Sequence, residues 1–320
     1  MELTYRDIKA ATDRVAGRVR PVALAPGDRR AGSVSGELWF ALEFMQHTGT
    51  FKARGAQNFI QAHRDEGTLP AAGVTIASGG NAGLACAWAA QQQGVTATVF
   101  LPTTAPTVKV DKLRGYGAQV RMVGDEYAHA LAACLEHADT TGALLSHAYD
   151  NPLIAAGAGT LMEEIHRQLP GLDTIVVAVG GGGLLAGIAT AADHYGIRTV
   201  AVEPENCRAL RAAIEAGHVV DGPVDSVAAD SLGARRVTEL ALHAAQHYDV
   251  ASMLVSDNEI VAARRALWHD RRLAVEHAAA TALAVLTSDD QRPGRAYLPN
   301  PDEQVCVVLC GANTDPSDLG

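Results

Sequence analysis

Short apolar runs rich in Val, Ile and Ala alternate along the chain with longer Ala/Leu-rich stretches of helical periodicity. The pairs are VTIASGGN with AGLACAWAAQQQG, TATVFLP with the helix around Val108 to Tyr116, TIVVAVGGGG with LLAGIATAADHYG, and RTVAVEPE with CRALRAAIEAG. The run VCVVLCGAN closes the series near the C-terminus. Strands that alternate with helices predict βαβ units, and so an α/β fold of mostly parallel, open twisted sheets flanked by helices.

The length of 320 residues favours two domains. Zones marked by Gly and Pro occur near Gly67 to Gly73 and near His147 to Pro152, where chain boundaries are common. We therefore predict a large domain formed by residues 1–68 and 150–320. Residues 73–147 are predicted to form a small inserted α/β domain.

Composition excludes several classes of function. The net charge is −10 and no long Lys/Arg run occurs, which disfavours nucleic acid as a partner. No apolar run is long enough to span a membrane, and the N-terminus has no signal-peptide pattern. The five cysteines are scattered without a CxxC pair, so a reducing, cytoplasmic location is expected.

The segment HTGTFKARG, residues 47–55, places Lys52 after a turn rich in Thr and Gly and next to Phe51. No carboxylate is close in sequence, so a buried amine here would be expensive to keep charged and desolvation would lower the pKa of Lys52. A neutral lysine is a nucleophile that can form a Schiff base. The alternative is an ordinary solvated lysine at the start of a helix.

Two glycine-rich loops each join a predicted strand to a predicted helix. The loop SGGNAG, Ser78–Gly83, offers backbone N–H groups and a helix N-terminus to an anion, and Asn81 adds an amide. The alternative is a tight turn with Asn81 as helix cap. The run Gly180–Gly183 lets bare backbone approach a phosphate, although glycine-rich turns also arise for packing. It lacks the lysine of a P-loop and the acidic residue that binds the ribose of NAD.

Cys310 ends the apolar run VVLC and precedes GAN. It would put a neutral, weakly polar thiol at the same edge of the sheet as the loops. The alternative is a buried core cysteine without chemical function.

Four motifs, taken together and in their order along the chain, resemble those of the serine/threonine dehydratases. These are pyridoxal-phosphate enzymes of fold type II, the group of tryptophan synthase β. The resemblance spans nearly the whole chain and includes the run PLIAAGAGT, Pro152–Thr160. The motifs are Lys52 within TGTFKARG, Asn81 within SGGNAG, the Gly180–Gly183 loop and Cys310 within CGAN.

The resemblance implies pyridoxal 5'-phosphate as cofactor, bound mainly by the large domain. Lys52 would be the Schiff-base lysine and catalytic base, with Phe51 beside the cofactor ring. Asn81 would bond to the ring hydroxyl, and Cys310 would face the ring nitrogen. The residues implied to hold the cofactor phosphate are Gly180, Gly181, Gly182, Gly183 and Leu184, and those implied to receive the substrate carboxylate are Ser78, Gly79, Gly80, Asn81 and Ala82.

The reaction implied by the resemblance is a β-elimination. Water would leave an L-β-hydroxy amino acid such as threonine or serine, and the product would hydrolyse to a 2-oxo acid and ammonia. A homodimer is also implied by the family. The alternatives within the fold are an amino-acid racemase or a β-replacement synthase, and the alternative from another class is a non-catalytic ligand-binding protein on this scaffold.

Three departures from the family pattern affect these expectations. Gly79 stands where related serine racemases carry an acid/base serine, so racemisation should be weak or absent. Glu203 and Cys207 mark the cation region, but an acidic partner is missing, so at most a monovalent cation is expected. The segments ADSLGARR (229–236) and EHAAA (276–280) differ from the family, which leaves the exact substrate open. Ser231 or Arg235 would shape the substrate pocket, or else belong to a solvated helix cap.

Overall fold

The computed structural model describes residues 2–27, 37–288 and 296–319. The strands are β1 (Leu24–Pro26), β2 (Glu37–Ala41), β3 (Val74–Ala77), β4 (Ala97–Leu101), β5 (Gln119–Met122), β6 (Leu144–Leu145), β7 (Thr174–Ala178), β8 (Arg198–Pro204), β9 (Val250–Val255) and β10 (Gln304–Val308). The α-helices are α1 (Tyr5–Val15), α2 (Lys52–Asp65), α3 (Asn81–Gln92), α4 (Thr107–Gly115), α5 (Tyr127–Thr141), α6 (Pro152–Gln168), α7 (Gly183–His194), α8 (Ala209–Ala216), α9 (Ala229–Leu232), α10 (Glu239–His247), α11 (Asp257–Arg271) and α12 (His277–Thr287).

The strands form two separate sheets. The larger has the order β1-β2-β10-β7-β8-β9, and the smaller has the order β5-β4-β3-β6. All neighbouring strands run parallel except β1, which is antiparallel to β2. The strands of the smaller sheet all lie between residues 74 and 145, within the range predicted for the inserted domain. Its boundaries stay a prediction.

Each sheet has its own apolar core. The side chains of Ile175, Val176 and Ile188 are fully buried in the core of the larger sheet. Phe59 and Val99 are fully or almost fully buried in the core of the smaller one. No helix in the part of the chain that the structure describes is both long and apolar enough to cross a bilayer.

Glycines at two helix crossings set the position of the helix that begins with Lys52. Where α2 crosses α6, a Cβ on Gly157 would lie 2.7 Å from the Cα of Gly55. Where α6 crosses α7, a Cβ on Gly159 would lie 2.7 Å from the carbonyl oxygen of Gly187. Distances below 3 Å leave no space for a side chain, so these helices can approach closely only because both positions are bare. The run PLIAAGAGT thereby fixes α2 and α7 against the same helix.

Candidate active site

Lys52 is the first residue of α2, and the turn before it is tied to the end of β10. The backbone N–H of Phe51 donates to the carbonyl oxygen of Cys310 at 3.0 Å, and Thr50 forms an antiparallel bridge with Gly311. The amine of Lys52 donates to the carbonyl oxygen of Ala148 at 3.2 Å. Nζ lies 4.9 Å from the centroid of the Phe51 ring. Burial lowers the pKa of Lys52, which favours the neutral, nucleophilic amine.

A buried ionic network holds the first turns of α2. The guanidinium of Arg54 is fully buried and donates to the carboxylate of Glu43 at 2.6 and 3.0 Å. It also donates to the carboxylate of Glu164 at 2.8 and 2.9 Å. A guanidinium bound by two carboxylates fixes both orientation and distance. Arg54, two residues after Lys52, is therefore anchored both to the segment that follows β2 and to α6.

The loop SGGNAG connects β3 to α3, and its glycines allow close contacts. Gly80 is the N-cap of α3, so the free N–H groups of the first helical turn face the cavity beside it. A Cβ on Gly83 would lie 1.9 Å from the carbonyl oxygen of Ser78. A Cβ on Gly79 would lie 2.7 Å from Cδ2 of Leu101. The loop thus keeps its backbone amides exposed to an anion without a side chain between them.

Asn81 does not cap its helix, contrary to the alternative from the sequence. Its amide nitrogen donates to the Glu276 carboxylate at 2.8 and 3.1 Å, and its oxygen accepts from the amide of Asn313 at 2.8 Å. A carboxylate only accepts hydrogen bonds, so these contacts fix which end of the Asn81 amide faces which partner. The side chain belongs to the cavity rather than to the helix terminus.

The four-glycine run forms a tight loop before α7. Gly182 has a φ of +91°, a conformation that other residues rarely adopt. A Cβ on Gly181 would lie 2.3 Å from the ring of Tyr149, and one on Gly183 would lie 2.9 Å from its carbonyl oxygen. The backbone of the loop therefore packs directly against Tyr149. The N-terminus of α7 begins at Gly183, in the same loop. This geometry fits a phosphate held by backbone amides.

Cys310 follows β10 by two residues and is almost fully buried. Burial, helped by the negative charge of Glu276, raises the pKa of the Cys310 thiol to about 12. The thiol is therefore neutral at physiological pH. A neutral thiol is a weak hydrogen-bonding group that holds no charge next to a ligand ring.

The structure brings these separate motifs to one cavity of about 760 Å³. Every residue predicted to bind the cofactor or the substrate carboxylate lies on its wall. Ser231 and Arg235 from the divergent ADSLGARR segment also lie there, with Lys109 and Asp230, whose side chains form a 3.1 Å ion pair. The predicted residues on the wall are Phe51, Lys52, Ser78, Gly79, Gly80, Asn81, Ala82, Gly180, Gly181, Gly182, Gly183, Leu184 and Cys310.

The predicted cation residues lie away from this cavity. Glu203 is fully buried and accepts the backbone N–H groups of Leu210 and Arg211 at 2.7 and 2.9 Å. Both carboxylate oxygens therefore bind the first turn of α8. Across the described ranges, no three His, Cys, Asp or Glu residues are grouped closely enough to hold a metal ion. A monovalent cation at Glu203 and Cys207 stays a prediction.

The sequence assigned no role to three residues of the cavity region, although Glu276 begins EHAAA and Asn313 ends CGAN. Glu276 is a single glutamate before an apolar helix, Asn313 follows CGA, and Tyr149 lies in an exposed-looking turn. Their partners, Asn81 and Gly181, are distant in sequence. Only the fact that EHAAA departs from the family pattern drew attention to Glu276.

The residues present fit an aldehyde-bearing, phosphorylated cofactor. A nucleophilic amine suits the aldehyde, a loop of bare amides suits the phosphate, and the Asn81 side chain lies close to the amine's cavity. No side chain at Gly181 or Gly183 could coexist with the observed backbone packing. A small carboxylate ligand would have the second helix N-terminus, that of α3, available.

Comparison with known proteins gives the same result. A family model described as "Pyridoxal-phosphate dependent enzyme" matches residues 16–311. The chain is 35% identical over 315 residues to an L-threonine ammonia-lyase of Geobacter sulfurreducens, covering 98% of this chain and 76% of that protein. It is 29% identical to a beta-hydroxyaspartate dehydratase of Paracoccus denitrificans, covering 99% and 98%. The solved structure of maize serine racemase superposes with a TM-score of 0.90 at 29% identity, covering 100% of this chain and 96% of that one. The predicted fold class is confirmed.

Proposed function

Because the chain belongs to the pyridoxal-phosphate-dependent enzymes, we propose that it removes water from an L-β-hydroxy amino acid such as L-threonine or L-serine. The products are the 2-oxo acid and ammonia. The observation that carries the proposal is the desolvated amine of Lys52, which shares one cavity with the N-termini of α3 and α7. A threonine ammonia-lyase among the relatives supports this reaction class.

The cofactor, bound covalently through its aldehyde to Lys52, supplies an electron sink for the bonds at the substrate Cα. In the proposal, the amides of Gly180–Gly183 and Leu184 hold its phosphate at the N-terminus of α7. The amides of Ser78–Ala82 receive the substrate carboxylate at the N-terminus of α3. During turnover, the released amine of Lys52 would accept the Cα proton of the substrate.

The overall reaction balances without any other reagent. The substrate loses its β-hydroxyl group and its Cα proton as water, and this leaves an enamine. The imine tautomer of this enamine takes up one water and hydrolyses to the 2-oxo acid and ammonia. Lys52 accepts one proton and gives it up again, so it ends each cycle unchanged. The neutral thiol of Cys310 would place no charge beside the cofactor ring, and this would favour prompt loss of the β-substituent.

The charged and polar side chains elsewhere on the cavity wall would help to determine which amino acid is accepted as substrate. Lys109 and Arg235 bring positive charge to the cavity, while Asp230 pairs with Lys109. Ser231 adds a hydroxyl group. Arg235 would favour an acidic substrate side chain such as that of β-hydroxyaspartate, the compound named for one relative. Threonine and serine would leave Arg235 solvated.

A substrate panel tests the proposed reaction. The purified holoenzyme is incubated with L-threonine, L-serine and L-β-hydroxyaspartate, and 2-oxo acid and ammonia are measured together. Equal amounts of both products from at least one substrate support the proposal. If β-hydroxyaspartate is preferred, an Arg235→Gln variant should lose that preference and keep activity on threonine. Release of neither product from any of the three would contradict it.

Racemisation and β-replacement are tested with the same protein. Because Gly79 has no hydroxyl group to transfer a proton on the opposite face, serine recovered from the reaction should remain L-serine. Accumulation of D-serine would favour a racemase, and cysteine formed only with added sulfide would favour a synthase. A colourless protein that binds no cofactor would favour a binding protein.

The homodimer and the cytoplasmic location stay predictions, and light scattering tests the first of them.

A further inference from the structure

Glu276 is a buried carboxylate whose place in the cavity no sequence motif explains. Its backbone N–H donates to the carbonyl oxygen of Gly311 at 3.0 Å, directly after Cys310. Its side chain is 6% exposed and lies on the cavity wall with Lys52. A Cβ on Gly311 would lie 2.9 Å from one of its oxygens, so the glycine leaves space for the carboxylate.

Among the described residues, all the hydrogen bonds to the Glu276 carboxylate come from N–H groups. The side-chain nitrogen of Asn81 approaches both oxygens at 2.8 and 3.1 Å, and the backbone N–H of Asn313 donates to Oε1 at 2.9 Å. Asn313 also donates its side-chain amide to the oxygen of Asn81 and to the carbonyl oxygen of Thr48, at 2.8 and 2.7 Å. Both ends of the Asn81 amide are thus held. One N–H shared between the carboxylate oxygens leaves the second N–H of Asn81 for the cavity.

Within the described part of the chain, no lysine, arginine or histidine lies within ion-pair distance of Glu276. A buried carboxylate without a cation is costly, and burial raises the pKa of Glu276. Attraction between Glu276 and Lys52 acts against this, raising the pKa of the amine and lowering that of the carboxyl. The other titratable groups that act on the pair are His147, Cys310 and Asp230. His147 opposes positive charge on Lys52, and Asp230 opposes negative charge on Glu276.

We propose that Glu276 is a positioning residue of the cofactor site, which orients the Asn81 amide and stabilises positive charge on the nitrogen of Lys52. The carboxylate does this without touching the amine, through a fixed hydrogen-bond chain and through its charge acting across the cavity. With the cofactor bonded to Lys52, a protonated nitrogen there would make the bonded carbon more electrophilic, so that the substrate amino group could replace the lysine. The inference rests on the cofactor site and is independent of which amino acid is the substrate.

The substitution Glu276→Gln separates charge from geometry. The Gln oxygen can accept both bonds that Oε1 now accepts, from Asn81 and from Asn313, so these two bonds are kept. The charge is lost, together with the longer 3.1 Å contact between Asn81 and Oε2. Glu276→Ala removes both. Glu303→Gln is a matched control, because Glu303 is also buried, accepts from Thr174 and Tyr297, and does not line this cavity.

The measurement is a pH titration of the visible absorption band of the resting holoenzyme, in the absence of substrate. The negative charge of Glu276 favours the protonated form of the Lys52 nitrogen. Removing this charge should therefore lower the pH at which the nitrogen loses its proton. We expect the midpoint to fall by roughly one pH unit in both Glu276 variants and to stay unchanged in the control. Cofactor affinity of the apoprotein should fall about tenfold in Glu276→Ala, since Asn81 loses a hydrogen-bond partner, and much less in Glu276→Gln.

A double-mutant cycle tests the positioning role. If Glu276 acts on cofactor affinity through Asn81, the variant Asn81→Ala/Glu276→Ala binds the cofactor no more weakly than Asn81→Ala alone. Additive losses would overturn this part. An unchanged titration midpoint in folded Glu276→Gln would overturn the charge part, even if Glu276→Ala fails to fold. Since no substrate is used, these results stand apart from the outcome of the substrate panel.

Discussion

The backbone of Gly181 lies against the ring of Tyr149, at a distance that allows no side chain at position 181. A Cβ there would be 2.3 Å from Cδ2 of Tyr149 and 2.4 Å from Cε2 and Cγ. A Cβ on Gly183 would lie 2.9 Å from the carbonyl oxygen of Tyr149. The Tyr149 segment therefore sets the shape of the proposed phosphate loop from outside.

The contact predicts that Gly181→Ala weakens cofactor binding at least tenfold. The added methyl must displace the Tyr149 ring or shift the loop, and either change moves the amides that hold the phosphate. Equilibrium titration of the apoprotein with pyridoxal phosphate measures the effect. Gly115→Ala is the control, because a Cβ there meets nothing within 4 Å. Unchanged affinity in Gly181→Ala would remove the loop from the cofactor site.

The network around Arg54 predicts a large loss of stability when the guanidinium is removed. Arg54→Met leaves the buried Glu43 carboxylate without its cation, which should cost about 3–5 kcal/mol. Chemical denaturation of the apoprotein measures the change. Arg198→Met breaks an exposed pair with Asp249 and should cost less than about 1 kcal/mol. Equal losses in the two variants would contradict the interpretation of Arg54 as the anchor of α2.

Because its cysteines are buried, we predict that the folded protein reacts only slowly with thiol reagents. All five are free and buried, and burial raises the pKa of Cys86, Cys306 and Cys310 to about 12 in each case. A thiol with this pKa is a thiolate in only about one molecule in ten thousand at pH 8. A disulfide reagent should react slowly with the native protein and with five thiols after unfolding. Rapid reaction of Cys310 in the native protein would show that its thiol is not neutral and buried.

The fold was predictable where local pattern determines structure. The runs that became β3, β4, β7, β8 and β10 and the helices that follow the first four carry their periodicity in sequence. The position of β10 between β2 and β7 was not predictable, because pairing partners far apart in sequence decide it. The antiparallel β1 and the half-buried edge strand β9 were also missed. Both are short or only partly apolar, so local pattern is weak there.

The site divides in the same way. Asn81, the glycine run and Cys310 lie just after strand ends, and Lys52 begins α2 after a turn rich in Thr and Gly. Unusual local composition marks all four in the sequence. Glu276 and Asn313 reach Asn81 only through packing, from 195 and 232 residues away in sequence. A single glutamate before an apolar helix looks like any helix terminus. The contacts among Asn81, Glu276 and Asn313 therefore could not be predicted from the sequence.

The most direct test of the account is to identify the residue that bonds to the cofactor. The chain has four lysines, Lys9, Lys52, Lys109 and Lys112, and burial lowers the pKa of Lys52. The protein is loaded with pyridoxal phosphate, reduced with borohydride, digested and analysed by mass spectrometry. We predict the label on Lys52, with loss of the visible band in Lys52→Ala. A label on another lysine, with Lys52 unmodified, would contradict the account.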